Sequence, residues 1–467
     1  MSHRIAFAIA VFIFACAVAR AQEPAANAAP SQREKELLER IQQLEQRIAA
    51  IEARLPAAPA PAPTAAAAAE PSATAAPAPT SAQLSSTGDS LSLPGFASGT
   101  TLNFLLDGYY EYNFNNPAGR VNLLRAYDPS SNNFTLNQAA VIIERTPDVA
   151  AGRRYGLRLD LMFGQALESL AANPANEPRT APYRNIYQAY GTYVFPLGSG
   201  LTADFGRFSS LLGFESSFAK DQINYTRSLL FTALPFYHMG FRTTYKLGAS
   251  TSATWLLVNG LNQTEDFNGF KSNGFSLTTS LTKALSWTGS YYFGNENRTL
   301  IEPAVVSNLP PALPTQPGLS TTPIAPRPNG LTHIADTYFT LNATSNLSLV
   351  GEGDYIVSRT YSNSYPAHLA GGAGYVKYQF VPAFYLAARF EYLSDHGYFT
   401  GVAQALKDAT ATAAYQPRQG FQIRWELRRD YSNRPFFLAH TPGQLKQQQT
   451  TALIAFLWWF GGKEGSW

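Results

Sequence analysis

The stretch Gly420–Tyr431, GFQIRWELRRDY, alternates between two kinds of side chain from one residue to the next. The apolar set is Phe421, Ile423, Trp425 and Leu427, and the polar set is Gln422, Arg424, Glu426, Arg428 and Asp430. Successive side chains of a β-strand point to opposite faces, so the pattern predicts a strand with one apolar and one charged face. A dry core would have to bury those charges at high cost, whereas a water-filled lumen would not.

The same alternation recurs at residues 102–114 and 154–164. In the first of these, one face carries Leu102, Phe104, Leu106, Tyr110, Tyr112 and Phe114, and the other carries Asn103, Asp107, Glu111 and Asn113. Soluble sandwiches also contain alternating strands, so one strand decides nothing. Many strands of about ten residues, each with charges on its second face, are typical of transmembrane β-barrels.

Short and long connections alternate along residues 101–467. Short turns are predicted at Pro147-Asp148, Pro196-Leu197-Gly198, Gly248-Ala249-Ser250, Thr282-Lys283-Ala284, Thr344-Ser345-Asn346, Val381-Pro382-Ala383 and Gln416-Pro417-Arg418. Longer loops are predicted near 115–133, 166–185, 209–237, 260–271, 294–333, 360–367, 395–405 and 432–447. The fold class that follows is all-β, a transmembrane antiparallel β-barrel of about 16 strands, which is wide enough for an aqueous channel.

Composition agrees with a surface that partly faces lipid. Charged residues make up 14% of the chain, against roughly 25% in soluble domains, and aromatic residues make up 13%. Beyond the N-terminus no apolar stretch is long enough for a membrane helix, and a net charge of +3 does not suggest nucleic acid. Trp458, Trp459 and Phe460 suit an interfacial girdle. The terminal Trp467 resembles the signal read by the barrel-assembly machinery, although Gly461 to Ser466 separate it from the last predicted strand.

The N-terminus predicts secretion. Arg4 precedes an apolar run from Ile5 to Val18, and Ala19-Arg20-Ala21 has the form of a cleavage site, so residues 1–21 are interpreted as a signal peptide. A short membrane anchor is the alternative. Cys16 is the only cysteine, so a mature chain without it has no disulfide and no thiolate metal site.

Two segments without barrel character follow. Residues 32–55 carry a heptad seam formed by Leu37, Ile41, Leu44, Ile48, Ile51 and Leu55, which predicts a coiled-coil stalk from Leu37 to Leu55. The seam does not decide between two and three strands, and a single solvated helix is the alternative. Residues 56–82 are almost entirely Ala, Pro and Thr, which predicts an extended linker, acting either as a tether through the periplasm or as an inert spacer.

Several short segments resemble the Putative beta-barrel porin-2 family, the OmpL-like porins. They are Leu106-Asp107-Gly108-Tyr109-Tyr110 with Asn113-Phe114-Asn115, Arg158-Leu159-Asp160, Asn224-Tyr225-Thr226-Arg227-Ser228 running into Pro235-Phe236-Tyr237-His238, Val258-Asn259-Gly260, and Arg428-Arg429-Asp430-Tyr431-Ser432-Asn433. The resemblance covers about 101–467 and implies an outer-membrane channel for small hydrophilic solutes. The stalk and linker are similar in plan to those of trimeric sugar and phosphate porins, and this likeness is the basis for expecting a trimer.

In a porin, inward charges set the field and an infolded loop narrows the path. The inward set predicted from the alternation is Asp107, Glu111, Arg158, Asp160, Asp204, Arg242, Lys246, Asp336, Glu352, Asp354, Lys377, Arg389, Glu391, Arg424, Glu426 and Arg428. Both signs are present in similar number, so weak ionic selectivity is expected, although each charge could instead form an ion pair that only supports the wall. The loop from Ser209 to Tyr237 is too apolar to extend into water, and either folding into the lumen or packing on a neighbour would bury it. It is the predicted constriction, with Phe214, Phe218, Tyr225, Arg227 and Phe231 as its key residues.

No enzymatic site is predicted. Asp395-His396 is the nearest approach to an acid and base pair, and no His, Asp or Glu cluster has metal-ligand spacing. No phosphate-binding glycine loop occurs either, so neither a metal nor a cofactor is expected. The predicted function is therefore an outer-membrane porin. A structural or adhesive barrel that contacts peptidoglycan through the stalk is the main alternative, and an outer-membrane enzyme is a weaker one.

Overall fold

The computed structural model describes residues 99–171, 177, 180–300, 322–463 and 466–467. The chain divides into two units, Met1–Leu84 and Ser85–Trp467, and the described residues all belong to the second. The predicted signal peptide (1–21), coiled coil (32–55) and linker (56–82) lie outside the described residues.

Strands dominate the described chain. They are β1 (Thr101–Asn113), β2 (Asn133–Arg145), β3 (Tyr155–Phe163), β4 (Ile186–Phe195), β5 (Leu201–Ser209), β6 (Tyr237–Lys246), β7 (Thr251–Val258), β8 (Ser272–Ser280), β9 (Leu285–Gly294), β10 (Thr332–Asn342), β11 (Leu347–Ser358), β12 (Ala367–Val381), β13 (Phe384–His396), β14 (Ala403–Arg418), β15 (Phe421–Ser432), β16 (Phe437–Leu438), β17 (Leu445–Lys446) and β18 (Gln448–Gly461). The helices are short: α1 (Ala166–Ala171), α2 (Thr180–Tyr183) and α3 (Leu229–Ala233), with 3-10 turns at Ala118–Arg120 and Ala219–Asp221. None of the described helices has the length and apolarity needed to cross a bilayer.

Sixteen of these strands form one closed antiparallel barrel. Each strand from β1 to β15 pairs with its neighbour in sequence, and β18 pairs with both β15 and β1. Closure leaves no free strand edge, which is the condition for a sheet to cross lipid. The short strands β16 and β17 form a separate hairpin in the last long loop. The sequence-based fold class and the strand number are confirmed.

The two faces of the barrel differ as the alternation predicts. On β1 the inward positions Asn103, Asp107 and Glu111 have no exposed surface, whereas Leu106 is 45% exposed. Outward aromatic side chains pair across neighbouring strands, for example Phe205 of β5 with Phe241 of β6, whose ring centroids lie 4.7 Å apart. An apolar, aromatic outer face is what lipid contact requires.

One predicted turn is misplaced. The connection expected at Gln416-Pro417-Arg418 belongs to β14, and the chain turns over residues 419–420. Pairing between β14 and β15 shifts between Tyr415 and Arg418, because Pro417 has no N–H to donate and interrupts the ladder. The sequence signal marked this irregularity and not the turn itself.

Candidate pore constriction

The third long loop, residues 210–236, folds into the barrel. Within it, α3 contacts β12 and β13, and Leu229 and Leu230 belong to one apolar cluster with inward side chains of several strands. Those strand residues are Leu256, Val258, Ile334, Ile356, Leu369 and Leu393. Leu229 and Leu230 are fully buried, so the apolar content of the loop is explained by a docking surface on the inner wall.

Carboxylates on the strands accept hydrogen bonds from the backbone of the third loop. Glu391 accepts from the N–H groups of Leu229 and Leu230 at 3.0 and 3.2 Å. Glu426 accepts from the N–H groups of Tyr225 and Thr226 at 2.6 and 3.0 Å. An irregular buried loop cannot satisfy its own N–H groups, so these carboxylates supply the missing acceptors.

Strand arginines satisfy the carbonyl groups of the same loop. Arg389 donates to the Thr226 carbonyl at 2.6 Å, and Arg428 donates to the Arg227 carbonyl. Arg389 also forms an ion pair with Asp408 at 3.2 Å, and Arg428 pairs with Asp430 at 2.8 Å. These inward charges therefore anchor the loop and neutralise each other.

Tyr225 fixes the loop to the first strand. Its hydroxyl donates to Asp107 Oδ1 at 2.9 Å, and Asn137 of β2 donates to both groups. Burial, together with the adjacent Asp107 carboxylate, raises the pKa of Tyr225 well above its ordinary value. The phenol therefore stays protonated and remains a donor.

The remaining predicted constriction residues stabilise the loop itself. Arg227 donates to the carbonyl groups of Ser216 and Ser217 at 3.1 and 2.9 Å. Its guanidinium lies 4.7 Å from the ring centroid of Tyr127. Phe231 packs edge-on against Tyr127, Phe218 packs against Tyr187, and Phe214 packs against Tyr375.

The first long loop, residues 114–132, also enters the barrel, which the sequence reasoning missed. Arg125 is buried and pairs with Asp128 at 2.6 Å, with Asp430 at 2.8 Å and with Glu111 at 3.6 Å. The Arg125 and Asp128 pair at i and i+3 was visible in the sequence, but its strand partners lie far along the chain.

A second part of the inner wall has no such anchoring network. Along β6 to β10, the inward side chains below the docked loop are mainly Thr244, Thr254, Ser276, Thr278, Ser286 and Thr340, all half-buried or exposed. Hydroxyl groups bond across strands, as in Thr244 with Thr254 at 3.1 Å and Thr278 with Thr288 at 3.2 Å. We call this set the hydroxyl wall, and the loop-binding faces of β12–β15, β18 and β1 the charged wall.

The predicted inward residues differ in their burial and in their partners. Asp107, Glu111, Glu352, Asp354, Arg389, Glu391, Arg424, Glu426 and Arg428 are buried, and most contact an infolded loop. Arg158 pairs with Asp160 at 2.9 Å, and Arg242 pairs with Asp204 at 2.7 Å, on β3 to β6. Lys246 is exposed near the end of β6. That any of these residues lines the solute path stays a prediction.

The last residue of the chain reaches the docked loop. The Trp467 backbone N–H donates to Asp221 at 3.0 Å, and its ring packs edge-on against Phe218. Burial lowers the pKa of Lys220, whose ammonium lies 4.4 Å from the Trp467 ring centroid. Together with Glu215 and Gln188, Trp467 lines a cavity of about 220 Å³ beside the loop.

Comparison with known structures returns outer-membrane barrels of low sequence identity. The outer membrane channel DcaP of Acinetobacter baumannii is 11% identical, with a TM-score of 0.48 over 78% of this chain and 100% of that one. An anion-selective porin from Comamonas acidovorans is 9% identical, with a TM-score of 0.48 over 77% and 99%. OmpT, an outer membrane protein of Vibrio cholerae, is 9% identical, with a TM-score of 0.47 over 78% and 98%.

A search of curated protein sequences finds no significant match. The family model described as "Putative beta-barrel porin-2, OmpL-like" matches residues 99–460, a span that includes all of the barrel except the last residue of β18, and both infolded loops. The chain therefore belongs to this family of outer-membrane β-barrel porins.

Proposed function

We propose that the protein is an outer-membrane porin in which small hydrophilic solutes diffuse between the docked third loop and the hydroxyl wall. The observation that carries the proposal is the closed 16-strand barrel, whose inward face includes the hydroxyl wall and many charged side chains. Without a water-filled lumen, the inward polar side chains would all need hydrogen-bond partners within the protein.

The route follows from where the loop packs. Residues 224–231 contact the charged wall through Glu391, Glu426 and Arg389. The space beside the hydroxyl wall is then bounded by Thr and Ser side chains, which bond to sugars and other neutral polar solutes. Narrowing by an infolded loop sets the size limit of such a path.

Weak ionic selectivity follows from charge pairing. Arg389, Arg428, Arg158 and Arg242 each have a carboxylate within 3.3 Å. A paired charge contributes little net field to the lumen, so neither ion sign is strongly excluded.

The assembly is proposed to be a trimer joined by the coiled coil from Leu37 to Leu55, with the stalk in the periplasm. The seam described above supports association, and a barrel that already holds the chains near one another would stabilise a short coiled coil. Residues 56–82 would bridge towards peptidoglycan, and the aromatic C-terminal strand would engage the barrel-assembly machinery.

A structural barrel without transport is the second candidate. Dense packing of both infolded loops against the charged wall favours it, because the described interior is side-chain-filled on that side. Enzymatic activity is a weaker alternative, and lipase and protease assays address it.

Conductance in planar bilayers and swelling of proteoliposomes separate these candidates. We expect stepwise conductance, a reversal potential far from the ideal value for either ion sign, and swelling rates that fall as sugars, amino acids and anions grow larger. A folded protein that gives neither conductance nor swelling would support the structural barrel and contradict the porin.

A further inference from the structure

Three carboxylates meet on the inner wall where β10 and β11 pair. Asp336 of β10 stands directly opposite Asp354 of β11, and Glu352 lies two residues before Asp354 on the same face. One carboxylate oxygen from each lies within 4.8 Å of the others. The three residues are 3%, 5% and 8% exposed.

These carboxylates lack the arginine partners that neutralise other inward carboxylates of the barrel. The oxygens of Asp336 and Asp354 form no hydrogen bond of good geometry, although the Gly213 N–H and the Ser290 hydroxyl lie near Asp336. Among the described residues, none of the ion pairs includes Asp336, Glu352 or Asp354, whereas Asp160 pairs with Arg158 at 2.9 Å. When ionised carboxylates lie this close together they repel one another, and burial has also removed their hydration.

We propose that Asp336, Glu352 and Asp354 bind a divalent cation, with calcium the best fit. Every candidate ligand is oxygen, and neither His nor Cys belongs to the cluster, which favours calcium or magnesium over zinc or copper. Calcium accepts irregular sets of oxygen ligands at about 2.3–2.6 Å, so it bridges separations up to about 5 Å better than magnesium at about 2.1 Å.

Neighbouring groups enlarge the oxygen set. Ser290 of β9 stands opposite Asp336, and the Tyr375 hydroxyl lies 3.2 Å from Glu352 Oε2. The other Glu352 oxygen accepts from the N–H of Phe214 in the third loop at 2.8 Å. The ion would therefore join β10, β11 and the docked loop at one point.

Gly213 allows the loop to approach the site closely. It has φ +87, and a Cβ there would lie 3.5 Å from Glu352 Oε1 and 3.0 Å from Leu234. A side chain would be strained and would crowd the carboxylates. The loop thus covers the ion from the lumen, and binding does not depend on whether the barrel conducts.

The test uses the full-length mature chain refolded in detergent without lipopolysaccharide and stripped with EDTA. We expect calorimetric titration with calcium chloride to give one site per chain. Terbium should bind in its place and luminesce on excitation of nearby tyrosines such as Tyr375, and calcium should quench the signal by displacement. A wild-type chain that binds neither ion would overturn the proposal and indicate that the carboxylates share protons.

Variants locate the site. D336N/D354N should weaken calcium binding at least tenfold, whereas D160N, which removes the same charge from an arginine-paired carboxylate, should bind as wild type does. Equal binding by D336N/D354N and wild type would overturn the assignment. Heat-modifiable migration on gels checks folding. If the double variant does not fold, calcium binding by E352Q is compared with the one site per chain of the wild type. Undiminished binding by E352Q would count against the site.

Discussion

The charged wall and the hydroxyl wall use the same barrel geometry for different purposes. On the charged wall, inward Arg and Glu side chains are buried and bond to the backbone of an infolded loop. On the hydroxyl wall, inward Thr and Ser side chains bond mainly to each other and remain accessible. The charges of the charged wall therefore serve chiefly to hold the docked loop, and the solute path that we propose beside the hydroxyl wall would be nearly neutral.

Removing the docked loop should have the largest effect. Deleting residues 214–231 takes away the segment between the two walls, so single-channel conductance should rise several-fold, and larger sugars should enter proteoliposomes. The deletion also removes the loop partners of Glu391 and Arg389 and leaves both side chains to water. A folded deletion variant with unchanged conductance would mean that this loop does not narrow the path.

Breaking one anchor should destabilise the loop without widening the lumen fully. Glu391→Ala removes the acceptor for two loop N–H groups and one partner of Arg389, and loss of one member of a buried pair costs about 3–5 kcal/mol. We expect the midpoint of unfolding to move to a lower urea concentration, and the open-channel current to fluctuate more. The matched control is Glu168→Gln. Glu168 forms an exposed ion pair with Arg184, and its loss should lower the free energy of unfolding by less than about 1 kcal/mol.

Adding a charge to the hydroxyl wall should shift selectivity. Thr278 is exposed to the lumen, so Thr278→Lys should move the reversal potential in a salt gradient towards anion preference, and Thr278→Asp should move it the opposite way. Thr278→Val keeps the size and should change little. Identical reversal potentials for the Lys and Asp variants would show that ions do not pass this wall.

The smallest expected effect concerns pH and the loop after β9. Burial raises the pKa of Glu296, although Leu261 N–H and the Tyr292 hydroxyl both donate to it, at 2.8 and 2.7 Å. Because the pKa is higher in the folded state, protonation of Glu296 stabilises the folded protein. This contribution is fully present below the unfolded pKa near 4.5, and it is lost as pH rises through the folded pKa.

Amide exchange at Leu261 measures this effect. Its protection, corrected for intrinsic exchange, should fall as pH rises in the wild type, and Glu296→Gln should remove most of the dependence. Protection that increases with pH in the wild type would contradict the stated sign.

The barrel was predictable because its signals are local. Strand alternation and turn residues lie within about ten positions of each other, and both the strand number and the loop order follow from them. The misplaced turn near Pro417 shows the limit, since a proline marks either a turn or a break in the ladder.

The interior was less predictable because its contacts join distant segments. The apolar content of residues 209–237 indicated that the loop would fold inward or pack on a neighbour, but not that Arg389 would bond to the Thr226 carbonyl 163 positions away. The acidic cluster could have been found: Asp336 and Asp354 each lie nine residues from Ser345, the centre of a predicted hairpin turn. Ligand spacing within a single segment does not reveal the cluster, because Asp336 and Asp354 meet only through the pairing of two strands.

Cysteine labelling during current recording tests the contrast between the walls most directly, since Cys16 is the only native cysteine and lies in the predicted signal peptide. Thr254 belongs to the hydroxyl wall. Thr412 is only 2% exposed, and it forms hydrogen bonds with Glu426 of β15 and with Asn224 of the docked loop. A cationic thiol reagent should reduce the current of Thr254→Cys in steps and leave Thr412→Cys unaffected. Block at Thr412→Cys with none at Thr254→Cys would contradict the account.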